Sequence, residues 1–292
     1  MNCSFINNTG LTEHNSFPHL LQTISADMEN ETNMIEHSKY YSDMEFMNMY
    51  QPNMSEITIL NLNCGSLNAK FDQLKLFLAT VDPMSHVTCI TLQETWCNEF
   101  TDMTQFNIAG YTMITKFKCT EVSEHGGLVI YVNNDFSFTE ITGNQSLIHE
   151  TLGIEIWLKN SRNNHKFTIF SVYRVPTGIT EDLLTFIQKF TELLELVQNK
   201  RAYICCDTNI DLLQIHKKTH FSTFYENITQ NGFLPMITLP TRLGGNTLID
   251  NIFTNNIGKP HINGIFKGKI SDHQMAFCIL ENKNKRNNTF NP

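Results

Sequence analysis

The sequence lacks several features that would define its class at once. No apolar run approaches the roughly 18–20 residues that a membrane-spanning helix needs, and the N-terminus has neither the basic start nor the apolar stretch of a signal peptide. Its eight cysteines form no Cys-x-x-Cys pair and have no His at zinc-ligand spacing, and no repeat of about 20–50 residues is visible. We therefore expect an intracellular, non-secreted chain with reduced thiols, and neither a membrane protein nor a zinc finger.

Charge is scarce as well. Asp, Glu, Lys and Arg make up 17% of the 292 residues against 41% hydrophobic residues, which excludes a wholly disordered chain and a coiled coil. The net charge of −8 taken alone disfavours a nucleic-acid partner. However, residues 1–54 hold seven acidic side chains and one basic one, a balance of −6, which leaves −2 for residues 55–292. Most of the acidity that argues against nucleic acid therefore belongs to the N-terminal segment.

This N-terminal segment differs in composition from the rest of the chain. It is rich in Asn, Met, Ser and His with hardly any apolar periodicity, which predicts a disordered acidic region over residues 1–54. The exception is the run Tyr40–Tyr50, whose aromatic side chains are numerous enough to dock on a folded domain. A single folded domain is predicted over residues 55–281, followed by a polar, basic tail over residues 282–292.

Short β-prone runs alternate with helical patterns along the predicted domain. The runs are apolar almost throughout, as in strands covered on both faces, and they span Ile57–Leu62, Val87–Leu92, Gly127–Val132, Gly153–Leu158, Phe167–Tyr173, Ala202–Cys206, Leu248–Phe253 and Gln274–Leu280. Apolar residues recur at helical spacing over Asn68–Val81, Thr180–Gln198 and Thr219–Gln230. This alternation predicts an α/β domain with sheets inside and helices outside.

Polar side chains stand where several of these runs end or begin. The set comprises Asn63, Glu94, Tyr173, Asp207, Asn209, Asp272 and His273. A strand end that opens to a loop can hold a polar group rigidly and still expose it to solvent. Carboxylate and amide oxygens suit Mg²⁺, and a His beside a carboxylate can act as a base or bind phosphate. The pattern therefore points to metal-assisted hydrolysis of a phosphate ester.

Each of these residues also fits a purely structural role. Asn63 could end a strand or cap the next helix, Glu94 could be a solvated strand end, and Asp207 could be part of an ordinary turn. Tyr173 could belong to the core with its hydroxyl satisfied. Asp250 is the exception, because a carboxylate in the apolar run LIDNIF needs a partner, for which His273 is the natural candidate.

The order of the motifs resembles a known superfamily. The motifs are LNLNCGSLN, LQETW, GYTMI, HGGLVIYV, VYRVP, CDTNIDLL, LPTRLGGNTLIDNIFTN and SDHQMAF, and they extend from about Ser55 to Leu280. Together they resemble the endonuclease/exonuclease/phosphatase superfamily, and within it the endonuclease domain of non-LTR (LINE-type) retrotransposons. The resemblance implies a deoxyribonuclease-like α/β fold, a two-sheet β-sandwich with helices on both outer faces. It also implies a Mg²⁺-dependent endonuclease that nicks one DNA strand and leaves a 3′-hydroxyl.

The resemblance assigns roles to residues on both sides of the implied site. On the metal side, Glu94 matches the principal Mg²⁺ ligand, Asn63 matches the Asn that helps to hold the metal and the scissile phosphate, and Asp272 matches the metal-side Asp, so all three are expected to bind the metal. On the catalytic side, the matching residues are Tyr173 for phosphate contact, Asp207 and Asn209 for water activation and the developing oxyanion, and Asp250 with His273 as the carboxylate–imidazole pair.

The same resemblance implies a partner, a cofactor and a location. We expect DNA as the partner, Mg²⁺ or its substitute Mn²⁺ as the cofactor without a small-molecule cofactor, a monomer, and a nuclear location. Candidate phosphate contacts on loops around the site are Arg174, Arg242, Lys267 and Lys269. Because no dense Lys/Arg cluster is present, binding is expected to be weak, salt-sensitive and tolerant of sequence.

Two departures from the family pattern keep alternatives open. Cys206 and Thr208 stand where the family usually has Gly and Phe, so a weakly active or non-catalytic remnant of the same fold is one alternative. A phosphatase of the same superfamily is another, disfavoured because Asn251, and not an Arg, follows Asp250. A LINE protein would continue into a reverse transcriptase, whereas this sequence ends at Pro292, so we expect a truncated copy, a fragment or a stand-alone product.

Overall fold

The strands predicted from apolar runs assemble into two sheets. The computed structural model describes residues 38–52, 55–84, 86–118, 125–141, 150–159 and 165–281, and these contain thirteen strands. In chain order the strands are β1 (Lys39–Tyr41), β2 (Ser55–Asn63), β3 (Cys89–Gln93), β4 (Tyr111–Lys116), β5 (Leu128–Asn133), β6 (Phe136–Glu140), β7 (Glu150–Leu158), β8 (Lys166–Tyr173), β9 (Ala202–Asp207), β10 (Leu234–Pro235), β11 (Asp250–Thr254), β12 (His261–Phe266) and β13 (Ala276–Glu281).

The two sheets are mixed and face each other. A seven-stranded sheet has the order β1-β12-β13-β2-β3-β5-β4, and a six-stranded sheet has the order β10-β11-β9-β8-β7-β6. Strands β2 and β3 of the first sheet contact β9 of the second, and β3 also contacts β8. The central strands are buried along nearly their whole length, because helices cover the faces that the sheets turn away from each other.

Four α-helices within the described residues cover these outer faces. They are α1 (Asp43–Met49), α2 (Leu67–Val81), α3 (Thr180–Val197) and α4 (Thr219–Gln230), and short 3₁₀ turns lie at Met103–Phe106 and Leu212–Gln214. The apolar stripes of α1 and α2 pack in one cluster with the seven-stranded sheet, and those of α3 and α4 pack with the six-stranded sheet. The prediction of an α/β two-sheet sandwich flanked by helices is confirmed. No helix in the described part of the chain is long and apolar enough to cross a bilayer.

Part of the segment predicted as disordered belongs to the fold. Strand β1 pairs in parallel with β12 at the edge of the seven-stranded sheet, and α1 follows it directly. Ser42 and Glu45 form a capping box that starts α1. The disordered region predicted over residues 1–54 is therefore too long at its C-terminal end, because the aromatic run Tyr40–Tyr50 docks on the domain. Residues 1–37 and 282–292 lie outside the described residues.

Phe46 anchors this N-terminal arm. Its ring is fully buried in α1 and lies 4.7 Å from the Phe266 ring and 5.0 Å from the Phe277 ring, measured between centroids. We expect Phe46→Ala to lower the free energy of unfolding by about 3 kcal/mol, because it removes a large buried side chain and leaves a cavity. Met47→Ala on the exposed face of the same helix should change it by less than about 0.5 kcal/mol. Urea unfolding followed by circular dichroism measures both, and equal effects would contradict the docked position of the arm.

Candidate active site

One edge of the sandwich collects the polar ends of six strands. In the seven-stranded sheet β2 and β3 run parallel, so both end at this edge, and the antiparallel β13 begins there. In the six-stranded sheet β8 and β9 are parallel and end at the same edge, where the antiparallel β11 begins. Strand direction alone therefore explains why residues far apart in sequence come together.

The register of the six-stranded sheet sets its polar residues side by side. Asp207 lies opposite Asp250 on one neighbouring strand and opposite Tyr173 on the other. All three side chains are at least 98% buried within the chain. A polar strand end followed by a loop was the sequence signal for Tyr173 and Asp207, and the register makes them neighbours.

Asn63 joins the two sheets across this edge. Its Nδ2 donates to Glu94 Oε1 at 2.7 Å and to Asp207 Oδ2 at 2.8 Å, while its Oδ1 accepts the Gly65 N–H at 3.1 Å. The amide therefore holds two carboxylates close together from opposite sheets. Asn63 turns its NH₂ group toward the two carboxylates and links them by hydrogen bonds. The metal-ligand role expected for Asn63 stays a prediction.

Asp207 is the carboxylate with the most perturbed environment. Burial, and then the negative charge of Asp250, raise the pKa of Asp207 well above its usual range, although His273 and the Asn63 amide act in the opposite direction. The backbone N–H of Asn209 also donates to Asp207 Oδ1 at 2.9 Å. A carboxylate whose pKa is raised in this way is suited to accept a proton near neutral pH.

Asp250 and His273 form the pair expected from the sequence. His273 Nδ1 lies 3.0 Å from Asp250 Oδ1 and 2.8 Å from Oδ2, and 4.0 Å from Asp207 Oδ2. Burial lowers the pKa of His273, but the carboxylates of Asp250 and then Asp207 outweigh it and raise that pKa to about 9. Thr241 completes the group, because its Oγ1 donates to Asp250 Oδ2 at 2.6 Å. The imidazole is thus held in orientation and kept cationic at neutral pH.

Tyr173 faces Glu94 from the opposite sheet. Burial, followed by the nearby carboxylates of Glu94, Asp207 and Glu150, raises the pKa of Tyr173, whose hydroxyl is hydrogen-bonded to Glu94. The hydroxyl therefore stays protonated and can donate a hydrogen bond. Glu94 is half-buried and its backbone has a φ of 50°, a left-handed conformation that a non-glycine residue adopts only where its surroundings enforce it.

Hydrogen bonds between Arg174 and Asn209 stabilise the loop that follows Asp207. The Arg174 guanidinium donates to the carbonyl oxygens of Thr208 and Asn209, and Asn209 Nδ2 donates to the Arg174 carbonyl at 2.9 Å. Asn209 has a φ of 51°. Arg174 is buried, so its contacts here stabilise the loop, and the DNA contact expected for it stays a prediction.

The other predicted phosphate contacts lie toward the surface. Arg242 forms an ion pair with Asp272 at 2.6 Å, and Lys267 forms one with Glu45 at 3.2 Å. Burial raises the pKa of Asp272, but His273 and Arg242 outweigh it and hold that pKa below its usual value. Lys269 is exposed. The structure thus groups Asn63, Glu94, Tyr173, Asp207, Asp250 and His273 tightly, with Asn209 beside Asp207, whereas Asp272 bonds to Arg242.

Sequence reasoning missed a buried polar layer beneath the site. Gln93 Nε2 donates to Asn61 Oδ1 and to Ser171 Oγ, both at 2.9 Å, and Thr91 Oγ1 donates to Asn61 Oδ1 at 2.8 Å. All of these side chains are buried. They link β2 and β3 to β8 directly below Asn63 and Glu94. The signal was available, because polar residues interrupt the otherwise apolar runs ITILNLN and TCITLQ.

A second missed residue is the buried Glu150 at the start of β7. Its Oε2 accepts the Gly127 N–H at 2.7 Å, and a Cβ added at Gly126 would collide with its carboxylate. The carbonyl oxygens of Gly127 and Gly126 accept the N–H groups of Thr95 and Trp96. Glu150 therefore braces the glycine turn that holds the strained segment after Glu94.

The donor groups at this edge suit a hard divalent cation. Three carboxylates, those of Glu94, Asp207 and Asp250, lie together with one imidazole, so negative charge is in excess. Asp207, Asp250 and His273 offer ligand atoms within 4.8 Å of one another. However, His273 Nδ1 already bonds Asp250 and carries a proton at neutral pH, which makes it a poor ligand. The carboxylates are therefore better ligands for Mg²⁺ than the imidazole is. Glu94 is the most accessible of the three carboxylates.

Comparison with known proteins establishes the fold. No protein-family model and no curated protein sequence matches the chain. Among solved structures it is similar to the AP endonuclease LMAP from Leishmania major, with 11% identity, a TM-score of 0.65, and coverage of 90% of this chain and 98% of that one. The catalytic domain of Xenopus laevis APE2 is 17% identical with a TM-score of 0.59, covering 77% of this chain and 92% of that one. The mannosyl-6-phosphatase Bt3783 from Bacteroides thetaiotaomicron is 13% identical with a TM-score of 0.55, covering 77% and 99%.

These structures share the fold of the endonuclease/exonuclease/phosphatase proteins, and this chain has that fold. Because nucleases and a sugar phosphatase both adopt it, the fold alone leaves the substrate open. The substrate has to be argued from the residues of the site.

Proposed function

We propose that the chain is a divalent-metal-dependent endonuclease that hydrolyses a phosphodiester of DNA, nicking one strand and leaving a 3′-hydroxyl. One observation carries the proposal: the buried Asp207, Asp250 and His273 lie within hydrogen-bonding or ion-pair distance, and Asn63 links Asp207 to Glu94. The site thus combines a proton acceptor (Asp207), a fixed cation (His273) and a cation-binding carboxylate (Glu94) close together.

The groups divide the work of in-line attack on phosphorus. Asp207 accepts the proton of the attacking water, since its pKa is raised toward neutrality. The His273 imidazolium and the Tyr173 hydroxyl stabilise the charge that develops on the non-bridging oxygens. Asp250 orients the imidazole through a hydrogen bond to Nδ1, as the carboxylate does in a Ser-His-Asp triad. A Mg²⁺ ion bound by Glu94 would neutralise phosphate charge and stabilise the leaving oxygen.

The residue that follows Asp250 disfavours an inositol polyphosphate as substrate. Polyphosphate substrates call for extra cations in the pocket, and an Arg after the carboxylate at position 250 would supply one. Here the residue is Asn251, whose amide forms two hydrogen bonds with the backbone of Ile237. Nδ2 donates to the Ile237 carbonyl, and Oδ1 accepts the Ile237 N–H. Asn251 is therefore occupied in holding the chain that follows β10.

The resemblance to LINE-type endonucleases supports DNA as substrate and a retrotransposon origin. Both substitutions that kept a non-catalytic remnant open are accommodated around the site. Thr208 is buried and donates through its N–H to the Ile249 carbonyl, and Cys206 is buried in β9. Asp207 and Asn209 keep their mutual hydrogen bond beside them.

Nicking of supercoiled plasmid by the full chain in Mg²⁺ tests the proposal. We expect open-circular product whose nicks are extended by a DNA polymerase without prior phosphatase treatment, because the end is a 3′-hydroxyl. Mannose 6-phosphate and inositol polyphosphates should release no phosphate under the same conditions. A folded protein that cuts no DNA in Mg²⁺ or Mn²⁺ would overturn the proposal, and phosphate release from the monoesters would favour the phosphatase.

A further inference from the structure

An exposed aromatic surface lies directly beside Glu94. We call the side chains of Trp96, Phe117 and His125 the aromatic platform. Trp96 and Phe117 are 39% and 40% exposed, and the centroids of the Trp96 and His125 rings are 4.9 Å apart. The segments that carry Trp96 and Phe117 are joined by a hydrogen bond from the Lys118 N–H to the Cys97 carbonyl at 3.0 Å. Exposed aromatic faces are the usual surface for unstacked nucleotides.

The backbone presents Trp96 at a conformational cost. Its φ is 58°, in the left-handed region that bulky residues avoid, and its N–H donates to the Gly126 carbonyl at 2.7 Å. The buried Glu150 braces that glycine turn from below. Core packing does not explain this strain, since the indole is exposed. Strained backbone held by its surroundings is characteristic of functional positions.

The indole is also tied to the active site. Trp96 Nε1 donates to Glu94 Oε2 at 3.2 Å, while Asn63 donates to Glu94 Oε1. The ring is therefore fixed within one hydrogen bond of the carboxylate that would hold the metal ion at the scissile phosphate. A nucleotide whose phosphate is bound there brings its base or that of its neighbour to this ring.

We propose that Trp96 is a stacking surface for an unpaired or unstacked nucleobase that flanks the scissile phosphate. The inference rests on the proposed nuclease function and specifies its substrate class as DNA that is locally single-stranded, bulged or mismatched at the cut. A base inside an intact duplex has no free face for stacking. A base that is already unstacked reaches the indole at little further cost in unstacking energy.

Tryptophan fluorescence tests binding independently of cleavage. The chain has two tryptophans, and Trp157 lies on β7, outside the set of site residues. Trp157→Phe leaves Trp96 as the single fluorophore. We add Asp250→Asn, which slows cutting but retains packing, and titrate this variant in Mg²⁺ with a duplex carrying one unpaired base and with the fully paired duplex. The unpaired base should quench the emission strongly, and the paired duplex should leave it nearly unchanged.

Substitutions separate stacking from support of Glu94. Trp96→Leu should weaken binding of the bulged duplex about 10- to 100-fold and leave that of the paired duplex unchanged, because one stacking contact is lost. Trp96→Phe, which keeps an aromatic face but loses the N–H, should restore most of the binding. Phe100→Leu, at an exposed aromatic residue nearby in sequence, should behave like the wild type.

The outcomes distinguish the two proposals. Absence of quenching, or equal weakening of both duplexes by Trp96→Leu, overturns the platform even if plasmid nicking is intact. Selective quenching by the unpaired base in a protein that nicks no DNA supports the platform and overturns the nuclease.

Discussion

Asp250→Asn should lower the rate of DNA cleavage by about 10⁴-fold while the protein remains folded. Loss of the carboxylate that orients and charges a catalytic imidazole has a cost of this order in hydrolases with the same pairing. The amide is nearly isosteric and can still accept the hydrogen bonds from Thr241 Oγ1 and His273 Nδ1, so packing is retained. Single-turnover nicking assays measure the rate, and circular dichroism measures the fold.

The same substitution should move the pH–rate profile. The proposed mechanism needs Asp207 ionised and His273 protonated, so we expect the rate to rise as pH passes the raised pKa of Asp207 and to fall as pH passes the His273 pKa of about 9. Asp250 is a cause of both elevated pKa values, so removing its charge should shift both limbs toward acid pH. A tenfold lower rate with an unmoved alkaline limb would show that His273 does not act as the cation.

Asp211→Asn is the matched control for this experiment. Like Asp250, Asp211 accepts two hydrogen bonds, but its donors are the backbone N–H groups of Leu213 and Leu248, which Oδ1 of an Asn can also accept. It lies four residues after Asp207, and its bonds run to the backbone rather than to the proposed catalytic side chains. Its substitution should leave both the rate and the pH profile near those of the wild type.

The sequence predicts the centre of the fold better than its edges. The three predicted helices agree with α2, α3 and α4 to within one residue at each end, because each has a clear apolar stripe. The strands β4 and β6 were missed, since they lie at sheet edges and are largely half-buried or exposed, without a continuous apolar run. Strand β12 was missed because Asn263 and Gly264 interrupt its pattern.

The sequence predicts candidate site residues but not their contacts. Motif order selected the candidates, and strand direction explains why those that the structure groups meet at one edge. The hydrogen-bond partner of each side chain depends on the strand register and on side-chain rotamers, which the sequence pattern does not predict. Asn63 thus bridges two carboxylates through its nitrogen, and Arg174 is committed to the loop of Thr208. Buried supports such as Thr241 and Glu150 have meaning only once the sheets are packed.

Glu94→Gln should remove most of the response to Mg²⁺ and lower cleavage by about 10³-fold. The substitution keeps the size of the side chain but removes the charge of the most accessible carboxylate in the cluster, and loss of one electrostatic stabiliser costs about 10²- to 10³-fold. A cation that binds only the folded protein stabilises it by about 2.7 kcal/mol at a concentration 100 times its Kd. The melting temperature of the wild type should therefore rise with added Mg²⁺, and that of the variant should not.

This binding readout does not depend on activity, so it separates the ligand role of Glu94 from any effect on chemistry. Glu99→Gln, five residues further along on an exposed turn, removes the same charge outside the cluster and should keep the full Mg²⁺ response. If Glu94→Gln keeps the response while Asp207→Asn loses it, the cation is held by the Asp207 side of the cluster. In that case we expect Glu94, which the Asn63 amide holds beside Asp207, to act on the substrate rather than on the metal.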